Sequence, residues 1–207
     1  MLELLAPAGS MEAVAAAVQN GADAVYLGWG DFNARRNAKN FSEEEFAAAV
    51  SYCHIRGAKV YLTLNTLLTD RELPRAAEVA ARSSALGADA VLVQDLGVAR
   101  MLRQVAPDLP VHASTQMTLH TKNGVLWAKE HGYSRAVLSR ELPAKTIEEL
   151  SRLGIETEVF VHGALCMSVS GQCYMSALIG SRSANRGSCA GACRLPFSGY
   201  QSSGRKP

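Results

Sequence analysis

Two near copies of one eight-residue string, GADAVYLG at 21–28 and GADAVLVQ at 87–94, constrain the architecture more than any other feature of the chain. Each follows an alanine-rich stretch of helical composition and leads into a short apolar run, so each marks a helix, a tight glycine turn and a buried strand. Parallel strands buried on both faces read as continuous apolar runs rather than as alternations. Seven such runs occur, at 3–6, 24–27, 59–64, 90–93, 111–113, 136–138 and 157–161. The segments between them carry helix punctuation. Ser42 with Glu45 forms a capping box, Asp70 is placed to cap the next helix, and Gly57, Gly87, Gly132 and Gly154 stand where helices stop. Strand and helix alternating in this way predict a parallel sheet. No G-x-G-x-x-G follows the first strand, which removes the main pointer to an open dinucleotide-binding sheet. The expected fold is α/β, a TIM-like (β/α) barrel.

Such a barrel closes with eight strands, and seven are counted. The expected organisation is a barrel-like unit over 1–157 continuous with 158–207, which holds the last strand and a cysteine-rich segment, the whole being the N-terminal part of a longer protein. Seven strands leave two edges of unpaired backbone, to be covered by the cysteine segment, by a second copy of the chain, by a partner or by following sequence. The 207 residues are 48% hydrophobic and 19% charged, with a formal net charge of +2, the composition of an ordered globular chain. No run approaches eighteen apolar residues, and MLELLAPAGS lacks a basic leader, so no membrane association and a cytoplasmic location are expected.

Four of the five cysteines, Cys166, Cys173, Cys189 and Cys193, fall within 28 residues, with six, fifteen and three residues between them. Thiolates are soft ligands, and four of them suit tetrahedral zinc or a four-iron cluster. Zinc ribbons usually present two short knuckles, and only Cys189 and Cys193 are that close. The wider spacing of Cys166 and Cys173 leans toward the bulkier cluster. In a reducing compartment, metal binding is favoured over disulfides or idle thiols. Cys53 lies on an amphipathic helix and reads as packing.

The strings FVHGALCMSVSGQC and SANRGSCAGACR, with LLAPAGS, GADAVYLG, DFNAR, VHASTQ and SREL in order before them, resemble the U32 family of collagenase-like peptidases from Leu4 to about Phe197. The resemblance implies a TIM-like barrel and a four-iron cluster on cysteines at these positions. Cys166, Cys173 and Cys189 match the first three ligands, while members differ over the fourth, which leaves the role of Cys193 open. Members of this family hydroxylate ribosomal or transfer RNA with prephenate-linked chemistry, or ubiquinone precursors without oxygen, and the peptidase name is the older one. The function expected from the resemblance is hydroxylation of a pyrimidine in tRNA or rRNA, with prephenate as co-substrate. Two alternatives stand beside it: a U32-type peptidase, and a cluster-bearing assembly module without catalysis of its own.

Chemistry in such barrels gathers at the C-terminal ends of the strands. There the chain places Asn33 and Arg35 after the second strand, Asn65 after the third, and Gln94 and Asp95 after the fourth. In VHASTQ, His112, Ser114 and Gln116 share one face. Arg140 and Glu141 follow the sixth strand and His162 the seventh. His112, Gln116, Arg140 and His162 are the catalytic candidates; Asn33, Arg35, Asn65, Ser114 and Glu141 are the substrate-binding ones. His112 suits proton transfer, or else is a hydrogen-bonded core histidine. The planar fork of Arg140 suits a carboxylate or phosphate, or else an ion pair with Glu141. Asp23 and Asp89 belong to the opposite face and are expected to cap turns.

No Asp or Glu follows Glu158, while Arg182, Arg186, Arg194, Arg205 and Lys206 do. These cations either offset a negatively charged cluster or meet RNA phosphates. The chain has no H-E-x-x-H and no G-x-S-x-G, so a peptidase would need a cysteine nucleophile. Cys166 with His162 forms such a pair only if that stretch is helical, and three further thiols would compete there for metal.

Overall fold

A computed structural model describes residues 2–30, 32–34, 40–163 and 166–198. Seven parallel strands lie in strict chain order, β1 Leu5–Pro7, β2 Ala24–Leu27, β3 Lys59–Leu64, β4 Ala90–Val93, β5 Val111–Ala113, β6 Arg135–Val137 and β7 Glu156–Glu158. Helices α1 Met11–Gln19, α2 Glu43–His54, α3 Leu73–Ala85, α4 Leu96–Val105, α5 Lys122–Glu130 and α6 Ala144–Ser151 connect them, and α7 Met175–Gly180 lies in the cysteine segment. The sheet curls into a half-barrel with the helices outside. Arg135 on β6 reaches Glu3, just ahead of β1, at 2.7 Å across the concave face, which shows how far the curl has brought the two ends together.

The strand residues alternate between two environments. Val25, Leu27, Val60, Leu62, Val91, Val93, Ala113, Ala136 and Leu138 face the helices and pack with Phe46, Val50, Cys53, Val79, Val98 and Leu102 in the main core. Ala24, Tyr61, Ala90, Leu92 and Val137 form a second, smaller cluster on the concave side. Cys53 is fully buried in the main core, and burial, with Asp89 nearby, pushes its thiol up to about 11, as befits a packing residue.

The turn chemistry follows the sequence closely. Ser42 accepts from the Glu45 backbone N–H at 3.1 Å while the Glu45 carboxylate accepts from the Ser42 N–H at 2.8 Å, the reciprocal pair of a capping box. Gly87, at a φ of 96°, turns the chain from α3 toward β4 in the left-handed region. Asp23 accepts from Leu4 N and Asp89 from Val60 N, both at 2.7 Å, as expected of caps on the N-terminal face. Asp70 is not a helix cap. Helix α3 starts at Leu73, with proline in its first turn, and Glu72 reaches back to the Thr69 N–H and hydroxyl.

Strands β2 to β5 match the expected runs at both ends, while the ends of β1, β6 and β7 shift by one to three residues. The last apolar run fails most, because β7 is Glu156–Glu158 and Val159, Phe160 and Val161 lie exposed beyond it. Glu156 and Glu158 belong to the sheet because they meet Arg135 on β6, a pairing that an apolar-run rule does not see. Among the described residues no eighth strand joins β7 or β1, and no helix is long and apolar enough to cross a membrane.

Candidate active site

Along the concave face the side chains form three levels. At the N-terminal end Arg135 donates to Glu3 (2.7 Å), Glu156 (2.8 and 3.0 Å) and Glu158 (3.3 Å), and Tyr61 donates to Glu3 at 2.8 Å. Lys59 stands 3.6 Å from Glu3. Burial alone would raise the Glu3 carboxyl, but hydrogen bonds from Arg135 and Tyr61 hold it below its ordinary value. For Glu158 burial prevails over Arg135, and the carboxyl is raised. His112 belongs to this level. It is buried edge-on to the Tyr61 ring with centroids 5.0 Å apart, and its Nδ1 has no partner among the described residues. Burial first, then the Arg135 charge, push its imidazole down to about 3. The structure therefore places His112 deep in the curl as a neutral ring, away from the strand ends.

The middle level is the apolar cluster of Ala24, Tyr26, Ala90, Leu92 and Val137. Above it, the next inward residues on β3 to β6, Thr63 and Asn65, Gln94, Ser114 and Ser139, are polar and uncharged. Gly28 stands so close to Asn33 and Thr63 that an added Cβ would lie 2.7 Å from Asn33 Nδ2 and 2.8 Å from Thr63 Oγ1. Asn33 donates to Asn40 Oδ1 at 2.8 Å. Asn65 accepts from Ala34 N at 3.0 Å and donates to Ser114 Oγ at 3.4 Å, and Ser114 also accepts from Gln116 N at 3.3 Å. Gln94 donates through Nε2 to the Gln116 carbonyl at 3.4 Å. Asn65, Ser114 and the Gln116 backbone thus form one hydrogen-bonded chain, with Asn33 beside Gly28 at its edge. Arg35 lies outside the described residues. Asp95 proves structural, capping α4 through Val98 N and accepting from Leu68 N, both at 3.1 Å.

The cysteine segment roofs this mouth. Glu141 accepts from Ser170 N at 3.0 Å and from Ser170 Oγ at 2.7 Å, and Arg140 N donates to Ser170 Oγ at 3.4 Å. Burial works to raise the Glu141 carboxyl, yet the two bonds from Ser170, with Arg140 adjacent, hold it below its usual range. Gln172 donates to the Gln116 carbonyl at 2.9 Å and to Thr118 Oγ1 at 3.1 Å. Farther along, Leu67 N donates to the Asn185 carbonyl at 3.3 Å, and Arg186 donates to the Leu67 carbonyl at 3.1 Å and to Glu72 at 2.6 Å. Ser170, Gln172 and Arg186 were not singled out from the sequence as mouth residues, and no local pattern distinguishes them. Gln94 was singled out after the fourth strand; Ser139 was missed, although it stands two residues after Val137 as Gln94 does after Leu92.

Several buried polar atoms at the mouth have no protein partner among the described residues: Gln94 Oε1, Gln116 Oε1, Ser139 Oγ and Arg140 Nε. Buried polar groups are normally paired with protein, water or ligand, so these atoms are open to a water or a bound molecule. His162 is exposed beyond β7. The bend at 161–163 is not helical, Ala164 and Leu165 lie outside the described residues, and no described contact joins His162 to Cys166.

Cys166, Cys173, Cys189 and Cys193 are all free thiols. Cys166 and Cys189 are exposed and the other two half-buried. The segment winds through left-handed turns at Ser170, Ser181, Gly187 and Gly191, and only a single 3-10 turn, Val169–Gly171, lies between Cys166 and Cys173. In type and number the donors fit a thiophilic metal group. Among the described residues, no three of His, Cys, Asp and Glu stand together closely enough to hold a metal ion.

Comparison with known proteins identifies the relatives of this arrangement. The chain is 42% identical over 205 residues to the 23S rRNA 5-hydroxycytidine C2501 synthase of Escherichia coli, covering 99% of this chain and 31% of that protein. It is 38% identical over 203 residues to tRNA hydroxylation protein P1 of Bacillus subtilis, covering 98% of this chain and 48% of that protein. The chain therefore spans a third to a half of the length of these curated relatives. The solved structure of the U32 peptidase Mk0906 superposes with a TM-score of 0.64 at 15% identity over 77% of this chain and 68% of that one, a likeness of fold. Residues 9–206 match Peptidase family U32, and the chain belongs to that family.

Proposed function

We propose that this chain carries the barrel mouth and cysteine segment of an RNA hydroxylase that acts on a pyrimidine of tRNA or rRNA in the cytoplasm. The observation that carries the reading is the set of hydrogen-bonding side chains at the mouth, whose buried Gln94, Gln116 and Ser139 atoms lack protein partners among the described residues. A nucleobase is a planar, uncharged ligand rich in donors and acceptors, and it reaches such a recess when flipped out of its stack or drawn from a single strand. Relatives named for rRNA 5-hydroxycytidine synthesis and tRNA hydroxylation support the same reading.

Cys166, Cys173 and Cys189, with Cys193 as candidate fourth ligand, would hold a four-iron cluster, zinc being the alternative. A cluster supplies one-electron transfer when bound. The protein's own contribution is to hold the segment over the mouth through Ser170, Gln172 and Arg186, and to keep the base in a fixed pose. Prephenate is the proposed co-substrate, with Arg140 as the cation suited to a carboxylate. A peptidase finds less support, because His162 and Cys166 make no described contact.

Two measurements test the reading. In cells lacking the gene, mass spectrometry of tRNA and rRNA should show one pyrimidine lighter by one oxygen, restored by the natural full-length gene and not by its Cys166→Ser form. Protein purified without oxygen should be brown and contain iron and sulfide. Unchanged RNA together with peptide cleavage by the pure protein would reject the proposal, and a colourless protein with stoichiometric zinc would reject the cluster.

A further inference from the structure

We propose that Glu141 is a positioning residue for the thiol pair Cys166 and Cys173: from the end of β6 it fixes the loop between them, so that this half of the thiol set is ordered before a soft metal binds. The inference rests on the metal reading above and adds which residue outside the cysteine segment prepares the site.

Six residues separate the two cysteines, and two of them attach the loop to the barrel. Ser170 is fully buried, and its backbone stands at φ 31°, ψ 53°, in the left-handed region that residues other than glycine seldom occupy. Glu141 holds it there with both carboxylate oxygens, Oε1 accepting from Ser170 N at 3.0 Å and Oε2 from Ser170 Oγ at 2.7 Å. Bonds of this charge-assisted kind are stronger than those between neutral groups. Arg140 N donates to the same hydroxyl at 3.4 Å. Gln172, next to Cys173, makes the second attachment, donating to the Gln116 carbonyl at 2.9 Å and to Thr118 Oγ1 at 3.1 Å.

Both attachments rest on one joined base. Leu119 and Leu138 form a parallel bridge, Ser139 N donates to the Leu119 carbonyl at 3.0 Å, and Leu138 N donates to the Glu158 carbonyl at 2.9 Å. The turns after β5 and β6 are thereby tied to each other and to β7. A loop pinned to that base at Ser170 and Gln172 has given up much of its freedom on folding, so less ordering remains to oppose the binding of a metal. The stretch after Cys189 is held differently. There Ser176, on α7, accepts at its Oγ from Ala190 N at 3.0 Å and at its carbonyl from Arg182 N at 3.1 Å. Glu141 makes no described contact with that half, so its removal should loosen the Cys166–Cys173 loop and leave the Cys189 stretch as it is.

The test uses the natural full-length protein, reduced, freed of metal and handled without oxygen, with cobalt(II) as the probe because its thiolate complexes absorb strongly in the near ultraviolet. The unmodified protein should develop that absorption. Glu141→Ala should raise the cobalt Kd by roughly ten- to a hundredfold, the usual effect of removing a group that orients a metal ligand. Glu141→Gln keeps an oxygen to accept from Ser170 N and offers an NH2 to its hydroxyl, and should recover most of the loss. In the metal-free protein, Glu141→Ala should quicken hydrogen exchange at 168–173 and leave 188–191 unchanged, a local pattern that a general loss of stability does not give. Should circular dichroism show Glu141→Ala to be unfolded, Ser170→Ala, which loses only the hydroxyl bonds, carries the same comparison with a smaller rise in Kd. Cobalt absorption with an unaltered Kd in the folded variant, or exchange that quickens equally at both stretches, would overturn the positioning role while leaving metal binding in place. No thiolate absorption with the unmodified protein would overturn the metal reading and this inference with it.

Discussion

Replacing Arg135 with methionine tests the charged level at the base of the curl. Methionine keeps most of the side-chain length but removes every donor. Glu156 is largely exposed and regains water. Glu3 and Glu158, with side chains 23% and 15% exposed, are left as carboxylates with little access to solvent. Removing one partner of a buried ion pair typically costs ~3–5 kcal/mol, because the other charge stays behind unpaired. The exposure of Glu156 puts this case at the lower end, about 3 kcal/mol near pH 8, or ~6–12 °C in melting temperature for a chain of this size. The deficit should shrink with acidity. The Glu158 carboxyl is already raised by burial against the pull of Arg135 and rises further without the arginine, while Glu3, now held below its ordinary value, loses its largest lowering partner and rises with it. A carboxyl raised on folding destabilises fully above its folded pKa and not at all below its unfolded one. His112, freed of the neighbouring cation that helps to depress it, also takes a proton more easily. Urea titrations of R135M and the unmodified chain, followed by circular dichroism, should therefore show a smaller difference at pH 5 than at pH 8. A difference below ~1 kcal/mol at pH 8, or one that is equal at the two values, would refute the argument that Arg135 neutralises these carboxylates.

Three further outcomes are expected. His112, held down to about 3, should show neutral imidazole nitrogen shifts in NMR spectra from pH 8 to pH 5. Its depressed folded pKa means that stability falls by up to ~1.4 kcal/mol per unit as pH drops below 6.5, a slope that His112→Gln should flatten. Gly28→Ala puts a Cβ within 2.9 Å of Asn33 and Thr63 atoms, so its melting temperature should fall by an amount equivalent to ~1–3 kcal/mol. Glu72, brought to about 2 first by Arg186 and then by the Thr69 N–H and hydroxyl, holds the turn before Cys189. Glu72→Gln should speed hydrogen exchange at residues 183–188 while leaving α5 unchanged, and because the carboxyl is depressed on folding, the unmodified protein should lose this protection only in strong acid.

The helix-facing half of the molecule was legible because it obeys one rule. Val25, Val60, Val91, Ala113 and Ala136 sit in apolar runs, and the turns between carry Ser42–Glu45 or glycine at positive φ. The mouth was partly legible for a related reason. A polar residue directly after a buried strand, such as Asn65, Gln94 or Ser114, has no place in the helix-facing core, and alternation sends it inward. The base of the curl was not legible. Glu3, Arg135, Glu156 and Glu158 meet each other only because β6, β7 and the residues before β1 are brought side by side, and no local spacing announces a contact between residues 132 positions apart. His112 illustrates the same limit. Its shared face with Ser114 and Gln116 was readable, but not that it lies one level lower, where burial removes its use as an acid near neutral pH.

The two ends of the curl meet the edge problem differently. Seven parallel strands leave backbone groups of β1 and β7 without strand partners among the described residues, and such edges invite pairing with other chains. At the N-terminal end side chains take over the joining. Arg135 holds Glu3, Glu156 and Glu158 at once, so the approach to β1 is tied to β6 and β7 through one guanidinium whose fixed fork can serve several carboxylates. At the C-terminal end, among the described residues, no comparable ion pair ties the strand ends to one another. There the cysteine segment is tied to the loops after β3, β5 and β6 through Arg186, Gln172 and Ser170. A charged lock suits an end that only has to stay shut. The roof, tied on by hydrogen bonds from Ser170 and Gln172 and by the Arg186–Glu72 pair, sets the segment that carries the four clustered thiols over the mouth.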